Sequence, residues 1–375
     1  MKERIVYTVS YVVLLAICTF ALSGCGGKKD KGASDVIFED VSVASSEKAG
    51  KLSDMFGDYR IVRLETNDSS LIGGRMSKYV KKDSVFYVRS LNEILEFGND
   101  GRFLRKLSRI GNGPEEYSKI SDFEIVPGPG GNEIWIADMK RIQKYDAATT
   151  GYLGSIGSED FVNQIEYVND TTLLLTTPGE KWLNVCDREG RVRARYFDKD
   201  IPNGGYRACQ YFHANGLTAW HIEGHNQAAV YDEENGTFSI KRIFPDLEGV
   251  TDMQVNRDYH NKFGEMDFTT ELRKDFSRLA YVNPDGDDLI WLVMKPEGEA
   301  TFYASSGGNV RHLDFRPAEP STANDIIETN DMRFLITPLS TTSDNGFLFI
   351  LPSDLVKDAD PDTNPSLLEV TRIAD

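Results

Sequence analysis

SRIGNGPEEYSKISDFEIV, from Ser108 to Val126, sets two glycines, a proline and two adjacent glutamates between runs that alternate apolar and polar residues. A phosphate-cradling loop needs a glycine-rich turn that opens directly into a helix, whose free N–H groups and dipole hold the anion. Here Pro114, Glu115 and Glu116 follow Gly113, and Ile120, Phe123 and Ile125 then fall at strand-like spacing. No Lys-Ser/Thr pair follows, and the glutamates repel phosphate. The stretch therefore reads as a joint between strands, and it points to a repetitive all-β chain.

Outward from this joint, turn residues recur between strand-like runs. Asn99-Asp100-Gly101, Glu189-Gly190, Asn235-Gly236 and Gly307-Gly308 each sit between two such runs, and Ala148 to Gly151 takes the same place in another. Glycines here supply the positive φ of tight hairpins. Aligned on these turns, the chain yields units of four strands. First strands are expected at Met76–Lys81, Ile120–Val126, Asn163–Val168, Arg207–His213, Ser277–Val282 and Met332–Thr337. They begin 44, 43, 44, 70 and 55 residues apart, against about 40 to 45 for four-strand propeller blades. One fourth strand is missing, and Tyr59 to Leu64 precedes the first complete unit without another partner. The expectation is a six-bladed β-propeller in which this N-terminal strand closes the last blade. Such closure removes sheet edges that would template aggregation. Two insertions are required, and in the one from Pro245 to Phe276 the spacing of Phe268, Leu272 and Phe276 predicts a short amphipathic helix.

The N-terminus speaks to location. Lys2 and Arg4 precede a mostly apolar run from Ile5 to Leu22, which ends in Leu22-Ser23-Gly24-Cys25. Charge, length and small residues near the cut mark a secretory signal, and its last four residues resemble a bacterial lipobox whose cysteine is lipidated. Residues 1–24 then form the signal peptide, 25–58 a lipidated tether and 59–375 the propeller. Within the tether, Val36-Ile37-Phe38 with Val41 and Val43 can form an accessory strand. Lys28 and Lys29 stand where surface-exported lipoproteins tend to be acidic, which favours the periplasmic side of the outer membrane. A formal net charge of −17 excludes nucleic acid, which needs a basic footprint. Membrane attachment then comes from lipid at Cys25 and not from a basic face. Beyond Cys18 and Cys25 only Cys186 and Cys209 remain, on different kinds of strand in neighbouring units, so a disulfide between them is not expected.

Gly111-Asn112-Gly113-Pro114-Glu115-Glu116-Tyr117, the preceding Gly101 to Leu107 and the early Val62-Arg63-Leu64-Glu65-Thr66 resemble the six-bladed propeller lipoproteins of Bacteroidota, related in shape to NHL and TolB-like propellers. That resemblance implies a fold and an envelope location, and no activity.

Candidate sites come from the connections. Fourth-to-first and second-to-third connections of a propeller emerge on one face. Arg109, Asn112, Glu116 and Tyr117 of the opening joint thereby join Lys140, Lys181, His225 and Lys295 as candidate ligand-binding residues. Loops on a rigid scaffold commonly carry function. Asp358, Asp360, Asp362 and Asn364, with Glu369 at the twelfth position, match the oxygen spacing of a calcium loop, although Thr363 stands where that loop needs glycine. An acidic hairpin loop is the other reading. His213 and His221 are expected some 13 Å apart on paired strands, too far to share a zinc ion. No G-x-S-x-G or H-E-x-x-H motif is present. The expected function is a binding or scaffolding module for an envelope protein, peptide or glycan, with a propeller enzyme acting at the central channel as the alternative, and with no cofactor beyond that calcium.

Overall fold

The computed structural model describes residues 36–372, apart from 42–45, 51, 74–77, 179–180, 199–208, 215–216, 223–226, 244–252, 265–266, 286–287, 297–298, 307–308, 316–339, 342–345 and 357–358. Strands dominate it. The N-terminal strands are β1 (Val36–Val41), β2 (Ser46–Lys48) and β3 (Phe56–Arg63). Sheet I follows as β4 (Tyr79–Lys82), β5 (Val85–Ser90), β6 (Glu93–Gly98) and β7 (Phe103–Leu107). Sheet II is β8 (Asp122–Gly128), β9 (Gly131–Asp138), β10 (Arg141–Asp146) and β11 (Tyr152–Gly157). Sheet III is β12 (Gln164–Asn169), β13 (Thr172–Thr176), β14 (Lys181–Cys186) and β15 (Val192–Asp198). Sheet IV is β16 (Cys209–Ala214), β17 (Leu217–Ile222), β18 (Gln227–Asp232) and β19 (Thr237–Ile243). Sheet V is β20 (Arg278–Asp285), β21 (Asp288–Met294), β22 (Ala300–Ser306) and β23 (Asn309–Phe315). Sheet VI is β24 (Ser340–Thr341), β25 (Gly346–Leu351) and β26 (Ser366–Arg372), completed by β3.

Each sheet is an antiparallel meander, and first strands of neighbouring sheets lie together: β4 with β8, β8 with β12, β16 with β20 and β24 with β4. This is the all-β propeller arrangement. The middle strands show why the sequence folds this way. A sheet packed on both faces must be apolar on both, so its strands lose simple alternation. In β25, Phe347, Phe349 and Leu351 enter a core shared with Ile290, Leu292 and Phe302 of sheet V. Leu348 and Ile350 enter one shared with Phe86, Val88 and Phe97 of sheet I. In β13, Leu173 and Leu175 face Trp135 and Ile142 of sheet II, while Leu174 faces Tyr231 and Phe238 of sheet IV. Each such side chain contributes roughly 1.5–3 kcal/mol through burial.

β3 pairs antiparallel with β26, with Ile61 opposite Leu368 and Val62 opposite Leu367, so strands from the two ends of the chain complete sheet VI. The stretch before β3 is less tether-like than expected. β1 lies parallel to β19 on the outer edge of sheet IV, and β2 lies parallel to β23 on the outer edge of sheet V. The chain thus steps along the outer edges of sheets IV, V and VI in turn. Turn glycines expected at Gly101, Gly190 and Gly236 all have positive φ.

Other expectations shift in detail. The helix predicted near Phe268 is α2 (Phe268–Asp275), and a second one, α1 (Met253–Phe263), precedes it in the same insertion. The two helices are tied by the Tyr259 hydroxyl, which donates to Asp275 Oδ2 at 2.6 Å. His213 pairs with Thr218 and His221 with Gln210, so the two histidines stand on separate rungs of the β16–β17 ladder. Met332–Thr337, the signal and Cys25 lie outside the described residues. Cys186 is free and buried among the sheet II side chains Trp135, Ala137 and Ile142, away from sheet IV where Cys209 sits. Burial pushes its thiol up to about 12, which makes it an inert core residue.

Candidate functional site

The opening joint is built from its own hydrogen bonds. The Gly113 N–H donates to Glu116 Oε2 at 2.8 Å, the Gly111 N–H to Tyr117 O at 3.0 Å and the Tyr117 N–H to Arg109 O at 3.0 Å. A Cβ at Gly111 would stand 1.9 Å from Glu116 Oε2 and would push that carboxylate off the Gly113 N–H. Tyr117 is not a surface aromatic. Its side chain is fully buried in the core between sheets I and II, and its hydroxyl donates toward Asn92 O at 2.9 Å. The backbone carbonyl of Glu116 accepts Nη2–H of Arg141 at 3.0 Å and Nε2–H of Gln143 at 2.8 Å. Asp138 lies fully buried below the joint and accepts from the Ser118 hydroxyl at 2.5 Å and from Arg141 Nη2 at 2.8 Å. The joint is therefore a clamp between sheets I and II.

The other expected residues disperse. Arg109 pairs with Glu115 at 3.8 Å within the joint, and Asn112 is exposed. Lys140 donates to Glu159 O at 3.0 Å and lies over the Phe161 ring. Lys181 opens β14 in sheet III, Lys295 follows β21 in sheet V, and sheet IV stands between them. His225 lies outside the described residues, as does Asp358. In the acidic loop, Asn364 Oδ1 accepts the Ile72 N–H while its Nδ2 donates to Glu65 O and Ser70 O, each at 2.8 Å. Asp360 Oδ1 accepts the Asp362 N–H at 3.0 Å. Glu369 lies on β26 and takes Lys81 and Arg60 as ion partners. Asn364 and Glu369 thus spend their oxygens joining sheet VI to sheet I. Among the described residues no group of three or more His, Cys, Asp or Glu side chains is placed to hold a metal ion.

The residues that do converge lie on the first strands, below the same face. Lys78 stands at the entry to β4, Asp122 and Glu124 on β8, and Glu166 on β12, so three consecutive sheets contribute. Lys78 Nζ lies 3.2 Å from Asp122 Oδ1 and 3.3 Å from Glu124 Oε2. Asp122 Oδ2 also accepts the Ile165 N–H at 2.9 Å, which ties sheet II to sheet III. Arg89, at the end of β5, donates to Ser121 O at 2.6 Å. Asp122 and Glu166 are each 5% exposed.

Electrostatics set this cluster apart. Burial pulls the Lys78 ammonium down, but Asp122, Glu124 and Glu166 outweigh it and hold it above the ordinary lysine value. Burial pushes Glu124 up against the pull of Lys78, and burial together with Glu124 pushes Glu166 well above the ordinary glutamate value. Burial pulls the Arg89 guanidinium down, with Asp122 opposing. Glu124, Glu166, Lys78 and Arg89, all of perturbed character, thus stand with Asp122 as donors and acceptors side by side. Sequence reasoning missed them, though a signal exists. Asp122 and Gln164 open their strands, and Glu124 and Glu166 follow two residues later in strands whose neighbouring positions are apolar.

Comparison with known proteins fits this picture. The model of a domain of unknown function, DUF4934, matches residues 37–373. The chain belongs to that family. The family domain starts within β1, so the edge strands β1 and β2 are part of the DUF4934 domain. The crystal structure of a "putative exported protein" from Bacteroides fragilis is similar, with a TM-score of 0.66 and 12% identity, over 90% of this chain and 100% of that one. A member of the DUF4221 family from Bacteroides vulgatus is similar with a TM-score of 0.52 and 10% identity, over 84% of this chain and 96% of that one. At these identities the likeness is one of fold. No curated protein sequence matches the chain. Among the described residues no helix is long and apolar enough to cross a membrane.

Proposed function

We propose that this DUF4934 chain is a six-bladed, lipid-anchored envelope propeller that binds a polar ligand, a peptide or a glycan, where its first strands converge. Six four-strand units, β3 completing the last, support the blade count. The lipobox-like Leu22 to Cys25 supports the anchor, and the description of the Bacteroides fragilis neighbour as exported is in keeping with it. The observation that carries the binding reading is the Lys78, Asp122, Glu124 and Glu166 cluster. A fold selected only for stability gains little from stacking carboxyl groups around one lysine, because buried charge is costly to desolvate. A hydroxyl-rich or zwitterionic ligand uses such a mixture, with Lys78 donating and carboxyl oxygens of the cluster accepting.

The same cluster keeps an enzyme alternative in view, since a buried carboxyl held above its ordinary range beside other carboxyl groups is an arrangement that acid–base catalysis uses. One panel of oligosaccharides and peptides tests both readings. Thermal shift and calorimetry should find a ligand that the wild type binds and that Glu166→Gln binds at least about tenfold more weakly. Conversion of any panel member to product would replace the binding reading with the catalytic one. A ligand bound equally by Glu166→Gln would remove the site from the first strands. The anchor has its own test: Cys25→Ser should abolish incorporation of labelled fatty acid, and persistent labelling would refute the lipidation.

A further inference from the structure

Nine large apolar side chains are exposed among the described residues, and their distribution is uneven. Tyr59, Ile61, Leu104 and Leu153 lie on the outermost strands β3, β7 and β11. The other five, Leu71, Leu91, Ile110, Met139 and Phe161, are 42% to 67% exposed and all sit on connections of the face above the cluster. They follow one another from sheet I to the entry of sheet III. Their connections are joined by hydrogen bonds at each step. Gly73 N–H donates to Ser90 Oγ at 2.8 Å, linking the Leu71 segment to the Leu91 turn. The Tyr117 hydroxyl donates to Asn92 O at 2.9 Å, linking that turn to the Ile110 joint. Ser118 and Arg141 both hold Asp138 beside Met139, and the Val162 N–H donates to Met139 O at 2.8 Å, which brings in Phe161. An apolar arc displayed on a pre-tied frame loses little freedom when a partner covers it.

Backbone strain marks two members of the arc. Leu91 has φ 53° and Met139 φ 58°, the left-handed region that favours glycine. Both occupy the turn between the second and third strands of their sheets. The corresponding connections of sheets III, IV and V contain Gly179, Gly224 and Gly298 in the sequence, so glycine is in use elsewhere in the repeat. In sheets I and II a bulky apolar residue stands in a conformation that glycine would adopt freely, and it is left facing water. Neither burial nor backbone preference explains that choice. Strain retained at an exposed position points to function, and exposed apolar side chains on successive, mutually bonded connections of one face point to a binding partner.

We propose that the arc from Leu71 to Phe161 docks a protein partner whose contact surface combines aliphatic side chains with basic ones. The basic character follows from charge: a chain of net −17 repels acidic surfaces and a second copy of itself, and steers cationic ones toward it. The proposal goes beyond the polar site and rests on the binding reading only in treating this face as the functional one.

Leu91→Gly with Met139→Gly separates docking from structure, because glycine relieves the left-handed backbone while deleting the apolar contact. Labelled peptides of equal length serve as the probe, in leucine–lysine, leucine–glutamate and serine–lysine compositions, read by fluorescence anisotropy at physiological salt. The leucine–lysine peptide should bind wild type at least about tenfold more tightly than either other. The double glycine variant should lose that preference while its Tm stays the same or rises, and Phe161→Ser should weaken the same peptide. A fall in Tm of the glycine variant would mean that the two side chains serve the fold, and unchanged peptide affinity would overturn the docking surface. Wild-type dimers that the variant abolishes, seen by sedimentation, would put a second copy on the arc and overturn the basic partner. Any ligand found for the polar cluster should still bind the glycine variant, so failure of the cluster reading and failure of this one give different results.

Discussion

The Gly111–Tyr117 joint and the Lys78, Asp122, Glu124 and Glu166 cluster both gather polar groups against the core of sheets I to III, and they differ in how charge is distributed among those groups. In the joint the paired groups tie neighbouring strands together: Gly113 N–H to Glu116, Tyr117 hydroxyl to Asn92 O, Arg141 to Asp138, while Gln143 Oε1 is buried without a partner among the described residues. In the cluster, three carboxyl groups stand around one lysine, and burial first, with neighbouring carboxylates adding to it, pushes Glu124 and Glu166 up. A network of hydrogen bonds between neighbouring sheets specifies a structure, while carboxyl groups held above their ordinary range suit ligand contact or proton exchange.

The largest effect expected from this difference is on stability. Tyr117→Ala removes a fully buried ring from the core between sheets I and II. It should cost about 3–5 kcal/mol, the range for truncating a buried aromatic. Urea unfolding followed by fluorescence measures it, and a cost below about 1 kcal/mol would return Tyr117 to the surface role that the sequence suggests. Lys78→Met comes next, at about 3 kcal/mol, because it leaves Asp122 and Glu124 beside each other without their cation. A neutral Lys78→Met would show that the lysine does not offset the neighbouring carboxyl groups, and the contrast between the two regions would collapse.

Tyr117→Phe should cost only about 1 kcal/mol, since the ring stays and one hydroxyl leaves. The difference between the phenylalanine and alanine variants sharpens the comparison, because it divides the joint's worth between packing and hydrogen bonding. A phenylalanine variant as damaged as the alanine one would make hydrogen bonding the main term.

What the sequence makes legible follows from distance along the chain. The hairpin turns at Gly101, Gly190 and Gly236 are local, and their φ values are those the turns require. β3 is legible as a closing strand because a count of strands leaves one place empty. The parallel pairing of β1 with β19 joins residues some 200 positions apart without a turn between them, so no local signal announces it. Tyr117 misleads because its neighbours Glu115, Glu116 and Ser118 are polar while its own side chain turns inward. The cluster is hidden for a related reason. Asp122 and Glu166 look like the solvated positions of alternating strands, and only the approach of β8 to β12 encloses them. Lys140, Lys181 and Lys295 are assigned to one face by the order of their connections, and a shared face does not bring side chains together.

The smallest effect is a difference in the sign of pH dependence. Burial pulls the Asp138 carboxyl up, but the Ser118 hydroxyl, Arg141 and the backbone N–H groups of Ser118 and Lys119 outweigh it and hold it below the ordinary 3.8. The unfolded chain therefore takes up a proton first as pH falls. Stability from this group is complete above about 3.8 and drains as pH falls through the depressed folded value. Glu166 behaves in the opposite sense. Burial first, and Glu124 next, hold it well above the ordinary 4.5 against Lys78, so the folded chain keeps a proton that the unfolded chain releases. Its contribution is present in full below about 4.5 and is lost as pH rises toward the folded value. Asp138→Asn should thus flatten the acid limb of the stability profile, and Glu166→Gln should flatten the decline on its neutral side. Urea midpoints across a pH series read both slopes. If the two variants change the same limb, the joint and the cluster hold their carboxyl groups alike, and the case for a ligand at the cluster loses its electrostatic support.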